Sequence, residues 1–400
     1  DRALAAALLQ DHDLIDAIRA WDAALAERAP DSSRAVVSRH IGATNEALRS
    51  LAGWLRTTYA TAAADVPDAV GHDRYVVSAR QYLGSDLDPD EAYSWAWGEL
   101  ERLETEMRRV AEEIRPGASI EEAMDWLDVH GEAAEGEAEL VAFLQELMDT
   151  TIAELQGTHF DLAEPLLTVQ AMIAPPGGAA AQYYTPPSAD FSRPGRTWYP
   201  TMGKTRFPIW NEVSTCYHEG VPGHHLQLAQ WIYLAPQMSL FQGTYFVSGN
   251  GEGWALYAER LMHEIGALVD PADELGYLAN QALRAARVVV DIGLHLDLPV
   301  PSGVFGADET RWTPERAVEI LRDWALQPQI TAVSEVERYL GWPGQAISYK
   351  VGEREWMRAR ERARARMAEK FSLKAFHAYG LELGPLGLAT FSAEMEKFGR

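Results

Sequence analysis

Apolar residues recur three and four positions apart over most of the chain, as in Leu4, Leu8 and Leu9 and then Ile15, Ile18 and Trp21, with alanine, glutamate and arginine between them. That spacing lines apolar side chains along one face of a helix and predicts helices from Asp1 to about Ile114. Asp88-Pro89-Asp90-Glu91 reads as a helix start, because an aspartate caps the free N–H groups and proline suits the first turn. The helix it opens runs through Trp95, Leu100 and Met107 and stops near Pro116-Gly117. Residues 174–208 break the pattern with "APPGGAA", "YYTPPSADFSRPG" and "WYPTMGKTRFP". They predict a loop with at most short strands, of a length that is often functional. Helical spacing returns at about Asn211 and continues almost to the end, with breaks near Pro236, Gly249–Gly251, Pro299–Gly306 and Trp342–Gly344. No internal repeat interrupts it. The arginines from Arg354 to Arg366 alternate with Glu353, Glu355 and Glu361, which favours a solvated helix face over an anion site.

Composition sharpens this picture in three respects. Four hundred residues, 47% of them hydrophobic, can bury a large core, in one large domain or two or three ordinary ones. The formal charge of -24 argues against binding nucleic acid or anionic lipid through general electrostatics. Cys216 is the one cysteine, so no internal disulfide forms, which favours the cytoplasm as the expected compartment. No stretch approaches the roughly 18 to 20 uninterrupted apolar residues that span a bilayer. The chain starts at Asp1 rather than Met, so its beginning carries no targeting information.

The chemistry concentrates in "HEGVPGHHLQ", residues 218–227. A helical His-Glu-x-x-His motif sets two imidazoles on one face with a catalytic carboxylate beside them, but here the fourth residue after His218 is Pro222. On a regular helix His218 and His224 would stand about 9 Å apart along the axis, too far for one ion whose ligands each lie within about 2.1 Å. Gly220, Pro222 and Gly223 permit a break or a looped-out bulge. With two residues looped out, His224 becomes the second ligand; with three, His225 does. A third ligand is sought in "GNGEGWALYAERL", where Glu252 and Glu259 share a helix face about 10 Å apart. One of them can reach the metal, and the other can orient a ligating histidine through its free ring N–H. "RVVVDIGLH" sets Arg287, Asp291 and His295 in a polar stripe on an apolar helix, either paired internally or turned to a site. "WPGQAISYKVG" puts Tyr349 on a helix, where a phenol could donate to a developing oxyanion.

Together, "YYTPPSADFSRPG", "HEGVPGHHLQ", "GEGWALYAE", "RVVVDIGLH" and "PGQAISYKVG" resemble the bacterial family known as domain of unknown function 885, in five ordered blocks over about residues 180–355. That family is similar to the helical zinc carboxypeptidases typified by carboxypeptidase Taq, and more distantly to thimet oligopeptidase and angiotensin-converting enzyme. The resemblance implies that His218 and His224 ligate zinc with Glu252, that Glu219 is the catalytic glutamate, and that Glu259 is a second acidic residue beside the site. The departure from the relatives is the insertion of Val221-Pro222.

The expectation that follows is a single mainly α-helical domain over 1–400, with 1–170 forming one wall of a deep groove, 171–210 a loop or short strands in at most one small sheet, and 211–400 the catalytic helical part. Its expected activity is zinc-dependent, carboxypeptidase-like hydrolysis of short peptides. Three protein ligands and a water make the catalytic zinc pattern; Glu219 would act as base, and Tyr349 with His295 would stabilise the oxyanion. Arg287 would meet a substrate carboxylate unless Asp291 occupies it. Tyr183, Tyr184, Arg193 and His225 would line the substrate's path. The same ligands also suit manganese, cobalt or iron. Three other classes stand beside this one: hydrolysis of a small amide, metal or peptide binding without catalysis, and a di-iron oxidase. The last needs paired Glu-x-x-His motifs, which the sequence lacks.

Overall fold

The computed structural model describes residues 26–63, 66–175, 181–304 and 311–400. The apolar series from Leu4 to Trp21 and part of the 174–208 loop lie outside the described residues, as do 305–310.

The chain is mainly α-helical, and its long helices stand where periodicity and caps place them. Helix α1 (Asp31–Trp54) continues through a wider turn, Leu55–Tyr59, to Ala62. After α2 (His72–Leu83) comes α3 (Pro89–Ile114), whose cap is Asp88: the carboxylate accepts from the backbone N–H groups of Asp90 and Glu91 at 3.1 and 3.2 Å. Its buried face runs Tyr93, Ala96, Trp97, Leu100, Leu103, Met107 and Val110, the three-and-four spacing of the sequence. Helix α4 (Ile120–His130) opens on a capping box of Ser119 and Glu122, and α5 (Glu137–Leu155) follows.

Two small sheets occupy the middle of the chain, where the sequence suggested at most one. Strand β1 (Ala133–Glu135) pairs antiparallel with β5 (Arg206–Pro208). In the other sheet β4 (Gly195–Tyr199) is central, parallel to β2 (Val169–Ile173) and antiparallel to β3 (Tyr183–Thr185). Their short lengths and proline-rich connections explain why the segment reads as loop.

The rest is helical: α6 (Glu212–Glu219), α7 (His224–Leu234), α8 (Leu240–Thr244), α9 (Ser248–Glu264), α10 (Pro271–Leu296), α11 (Pro314–Asp323), α12 (Gln329–Gly341), α13 (Ser348–Met367), α14 (Leu373–Glu382) and α15 (Leu388–Met395). Helix α10 is the centre of the core. From Leu275 to His295 every residue except Asn280 is buried, and α3, α6, α9 and α13 pack around it. The break expected at Gly249–Gly251 lies before them: these glycines form the first turn of α9. The reason is a close crossing with α13. A Cβ on Gly253 would fall 2.5 Å from the Gly352 backbone, and one on Gly352 would fall 2.0 Å from the Gly249 carbonyl oxygen. Helices α9 and α13 therefore meet backbone to backbone, beside Glu252 on one and Tyr349 on the other. Along α13, Arg362 and Arg366 pair with Glu355 and Glu396 on a partly exposed, salt-bridged face, as the sequence suggests, whereas the more deeply buried Arg354 and Arg360 pair with Glu91 and Glu264.

Candidate metal centre

The opened motif is two helices rather than one. Helix α6 ends at Glu219, Gly220 to Gly223 turn, and α7 begins at His224. The peptide between Val221 and Pro222 is cis. Gly223 donates to the Tyr217 carbonyl (3.0 Å) and His225 N–H to the Gly220 carbonyl (3.0 Å), so the turn folds back on the end of α6. A Cβ at Gly223 would lie 2.0 Å from the His218 carbonyl oxygen. Only glycine allows that approach, and it brings the His224 ring to a centroid distance of 4.9 Å from the His218 ring.

Helix α9 closes the group and is tied to both histidine helices. Trp254 donates its indole N–H to the Pro222 and Gly223 carbonyls at 2.9 and 3.2 Å. Gln227 on α7 donates to the Asn250 side chain at 3.0 Å. One turn or two further on, Glu259, fully buried, faces the His218 Nδ1 at 2.7 Å and accepts from the Ser214 hydroxyl at 2.5 Å. With Nδ1–H held by that carboxylate, the Nε2 lone pair of His218 is free to coordinate.

That lone pair meets two others. Glu252 Oε2 lies 3.4 Å from His218 Nε2 and 3.3 Å from His224 Nε2, and the three donor atoms all lie within 4.8 Å of one another. Two ligands each about 2.1 Å from a tetrahedral ion stand about 3.4 Å apart, so these spacings are the edges of a coordination polyhedron. Among the described residues no other set of three or more His, Cys, Asp or Glu donors converges in this way. The donor set, two imidazoles and a carboxylate, therefore fits one divalent ion with a position left open.

Electrostatics at the group favour a cation. Burial by itself lowers the His218 pKa, but Glu252 and Glu259 outweigh it and raise it to about 9. Burial works against the charged form of Glu252, yet His224 and His218 hold its pKa well below the usual carboxylate range. Glu219 is buried, which raises its pKa, while His224 and His218 draw it down. The Tyr349 phenol is raised by burial and then by Glu252, with Arg287, Arg338 and Arg284 opposing. Its ring lies parallel to His218 at 6.4 Å and under the Arg287 guanidinium at 4.6 Å.

His225 is not a donor. Its Nε2 lies 2.9 Å from the Leu166 carbonyl and so carries the proton, and its Nδ1 accepts from the Tyr184 hydroxyl at 2.9 Å. Both nitrogens are used, and burial lowers its pKa to about 4. The pair Tyr184–His225 ties β3 to α7, past Gly195, where a Cβ would lie 2.2 Å from the Tyr184 hydroxyl; Tyr184 is a structural partner rather than a free substrate contact. Tyr183 stacks on Trp198, and Arg193 braces its own loop through the Pro186 and Pro194 carbonyls.

The stripe on α10 is distributed differently from its sequence reading. Arg287 pairs with Glu335 on α12 at 2.8 Å and is not held by Asp291. It is therefore not the open receiver of a substrate carboxylate. Glu335 also binds Arg338 and the Tyr339 hydroxyl; burial opposes its charge, but Arg287 and Arg338 bring its pKa to about 2. Asp291 accepts from the Tyr75 hydroxyl at 2.6 Å and from Gly344 N–H at 2.9 Å, anchoring the turn before α13 rather than orienting a metal ligand. His295 is fully buried, with Nε2 3.0 Å from the Tyr339 carbonyl, and does not join the oxyanion side of the group. Partners contributed by α2 and α12, far off in sequence, decide these pairings. Arg284 escaped the sequence reading, yet it lies one turn before Arg287 and extends the same stripe back to Asn280. An open cavity lined by Leu83, Asp86, Glu91, Arg354, Glu355 and Leu388 contains none of the donors.

Comparison with known proteins adds a family and a fold. A family model described as a bacterial protein of unknown function (DUF885) matches residues 2–395. No curated protein matches. A crystal structure of a "putative lipoprotein" from Colwellia psychrerythraea superposes with a TM-score of 0.81 and 25% identity over 93% of this chain and 65% of that one. A second solved structure, of "a putative lipoprotein of unknown function" from Shewanella oneidensis, gives 0.70 and 20% over 96% of this chain and 70% of that one, a likeness of fold alone. The chain thus spans about two thirds of the length of each.

Proposed function

The chain belongs to the DUF885 family of bacterial proteins of unknown function, and on that premise we propose that it is a zinc-dependent peptidase hydrolysing short peptides. The observation that carries this reading is the pair of 3.4 and 3.3 Å edges that Glu252 Oε2 makes with the His218 and His224 Nε2 atoms, beside an uncommitted buried carboxylate. The order His218-Glu219, Gly223-His224, Glu252 also parallels the helical zinc carboxypeptidases typified by carboxypeptidase Taq. When bound, zinc supplies Lewis acidity and a lowered pKa to a water in the open position.

The protein's own residues do the rest. His218, His224 and Glu252 hold the ion, and Glu259 fixes the ring orientation of His218. Glu219 makes no hydrogen bond or ion pair among the described residues, so its carboxylate is free to take the proton of the attacking water and deliver it to the leaving amine. Tyr349, held between His218 and Arg287, offers its hydroxyl to the oxyanion.

Metal analysis tests this on protein purified without chelator or metal-affinity resin. Near-stoichiometric zinc is expected in wild type, His225→Ala and Glu219→Gln, and its loss in His224→Ala. Glu219→Gln, though zinc-loaded, should cleave unblocked tripeptides about 10²- to 10⁴-fold more slowly, the usual worth of a general base. Wild type that cannot be loaded with zinc, or Glu219→Gln as active as wild type, overturns the reading.

A further inference from the structure

We propose that Trp254 is the positioning residue that lets the opened motif hold a metal: its indole N–H fixes the turn from Gly220 to Gly223 so that His224 reaches the ion. The inference rests on the metal reading of the site and does not depend on which bond the site cleaves.

Proline creates the need for it. On an unbroken helix the His218 carbonyl would receive the N–H of the residue four positions on, and that residue is Pro222, which has none. The chain turns instead, and Val221, Pro222 and Gly223 are all buried. Gly223 N–H bonds back to the Tyr217 carbonyl and His225 N–H to that of Gly220, both at 3.0 Å, while the Gly223 carbonyl takes the N–H of Gln227 at 3.2 Å. The Pro222 carbonyl receives none of these backbone donors. A buried carbonyl without a donor is costly, and the Trp254 indole supplies one at 2.9 Å, with a longer contact to the Gly223 carbonyl at 3.2 Å.

The two histidines are steadied in different ways. His218 is oriented through its ring, by Glu259 at Nδ1. The Nδ1 of His224 is buried with no partner among the described residues, so no hydrogen bond there fixes the ring. What fixes it is the place of its backbone at the start of α7, and Trp254 bonds the two carbonyls immediately before it. The indole is a rigid post. It is fully buried, with ring centroids of Trp356 at 4.8 Å, Tyr257 at 5.6 Å, His377 at 5.7 Å and Phe160 at 6.3 Å. Three successive residues of α9 thus divide the work: Glu252 brings a donor atom, Gly253 admits the Gly352 backbone, and Trp254 sets the turn.

Zinc affinity, read by competition with a chromophoric chelator, and the visible spectrum of the cobalt-loaded chain test this without reference to catalysis. Trp254→Phe keeps an aromatic ring and removes the donor. Its zinc affinity is expected to fall about ten- to a hundredfold, the usual worth of a group behind a metal ligand, and its cobalt bands to shift as His224 moves. Trp356→Phe is the control in the same cluster: its indole N–H is buried with no partner, so affinity and spectrum should stay at wild-type values. A folded Trp254→Phe chain with wild-type affinity and spectrum overturns the assignment. Equal losses in the two variants overturn it as well, since ring packing would then be the cause. If Trp254→Phe does not fold by circular dichroism, benzothienylalanine in place of Trp254, with sulfur where the N–H was and the same bicyclic shape, carries the same comparison. Wild type that cannot be loaded with zinc or cobalt sinks the metal reading and the assignment together. A loss confined to Trp254→Phe, in a chain that cleaves no peptide, keeps the assignment and sinks the peptidase reading alone.

Discussion

Glu259 joins two helices through two acceptor atoms, with His218 on one and Ser214 on the other, and neither bond is exposed to water. Losing its charge leaves His218 free to rotate and less basic. Glu259→Gln is expected to weaken zinc binding ten- to a hundredfold, read by competition with a chromophoric chelator, the usual effect of removing a carboxylate behind a metal-binding histidine. An unchanged affinity would show that His218 is oriented by packing alone. At this scale the sequence narrowed the donors to His218, His224 or His225, and Glu252 or Glu259, because the reach of a single ion limits which of them can meet; the resemblance to the helical zinc carboxypeptidases pointed to His224 and Glu252. The roles of the charged residues of α10 were not narrowed in this way. Arg287, Asp291 and His295 are in helical register, but their partners Glu335, Tyr75 and Tyr339 come from elsewhere, and a stripe does not say who meets it.

Among elements, two local breaches of helix-forming sequence decide the site. Gly220 to Gly223 split one helix into two, and the glycines at 249, 253 and 352 let α9 and α13 touch. Gly352→Ala places a methyl group 2.0 Å from the Gly249 carbonyl oxygen, so the helices must part. A loss of about 1 to 3 kcal/mol of stability in urea unfolding is expected, the range for overpacking. Gly98→Ala is the matched control: exposed on α3 with nothing within 4 Å of the new methyl, it should gain about 0.5 to 1 kcal/mol. Equal effects of the two would mean that the crossing is loose. Glycines read as breaks in sequence because their backbone freedom is the local signal; that they serve contact here depends on a helix about a hundred residues away.

For the whole molecule, a metal that binds only the folded chain adds stability by mass action. Zinc at a hundredfold excess over its dissociation constant is expected to contribute about 2.7 kcal/mol, and a chelator to remove it. Scanning calorimetry across zinc concentrations should show a rising Tm for wild type and a flat one for His224→Ala; parallel rises would place the bound zinc elsewhere. The balance of -24 overall contrasts with Arg287 and Arg338, which share Glu335 in the interior, so the net acidity of the chain and this buried cationic pair are separate features.

Sequence alone determined the mainly helical architecture, the cap at Asp88, the short-stranded middle and a short list of candidate donors, His218 with His224 or His225 and Glu252 or Glu259. Each depends on neighbours within a few turns or on the reach of a single ion. Tertiary structure brought His224 rather than His225 to the candidate donor group, gave Arg287 to Glu335, and moved Asp291 and His295 to structural bonds. Those outcomes are choices among partners for buried polar groups, and a buried group pairs with whatever the packing of distant helices brings within about 3 Å.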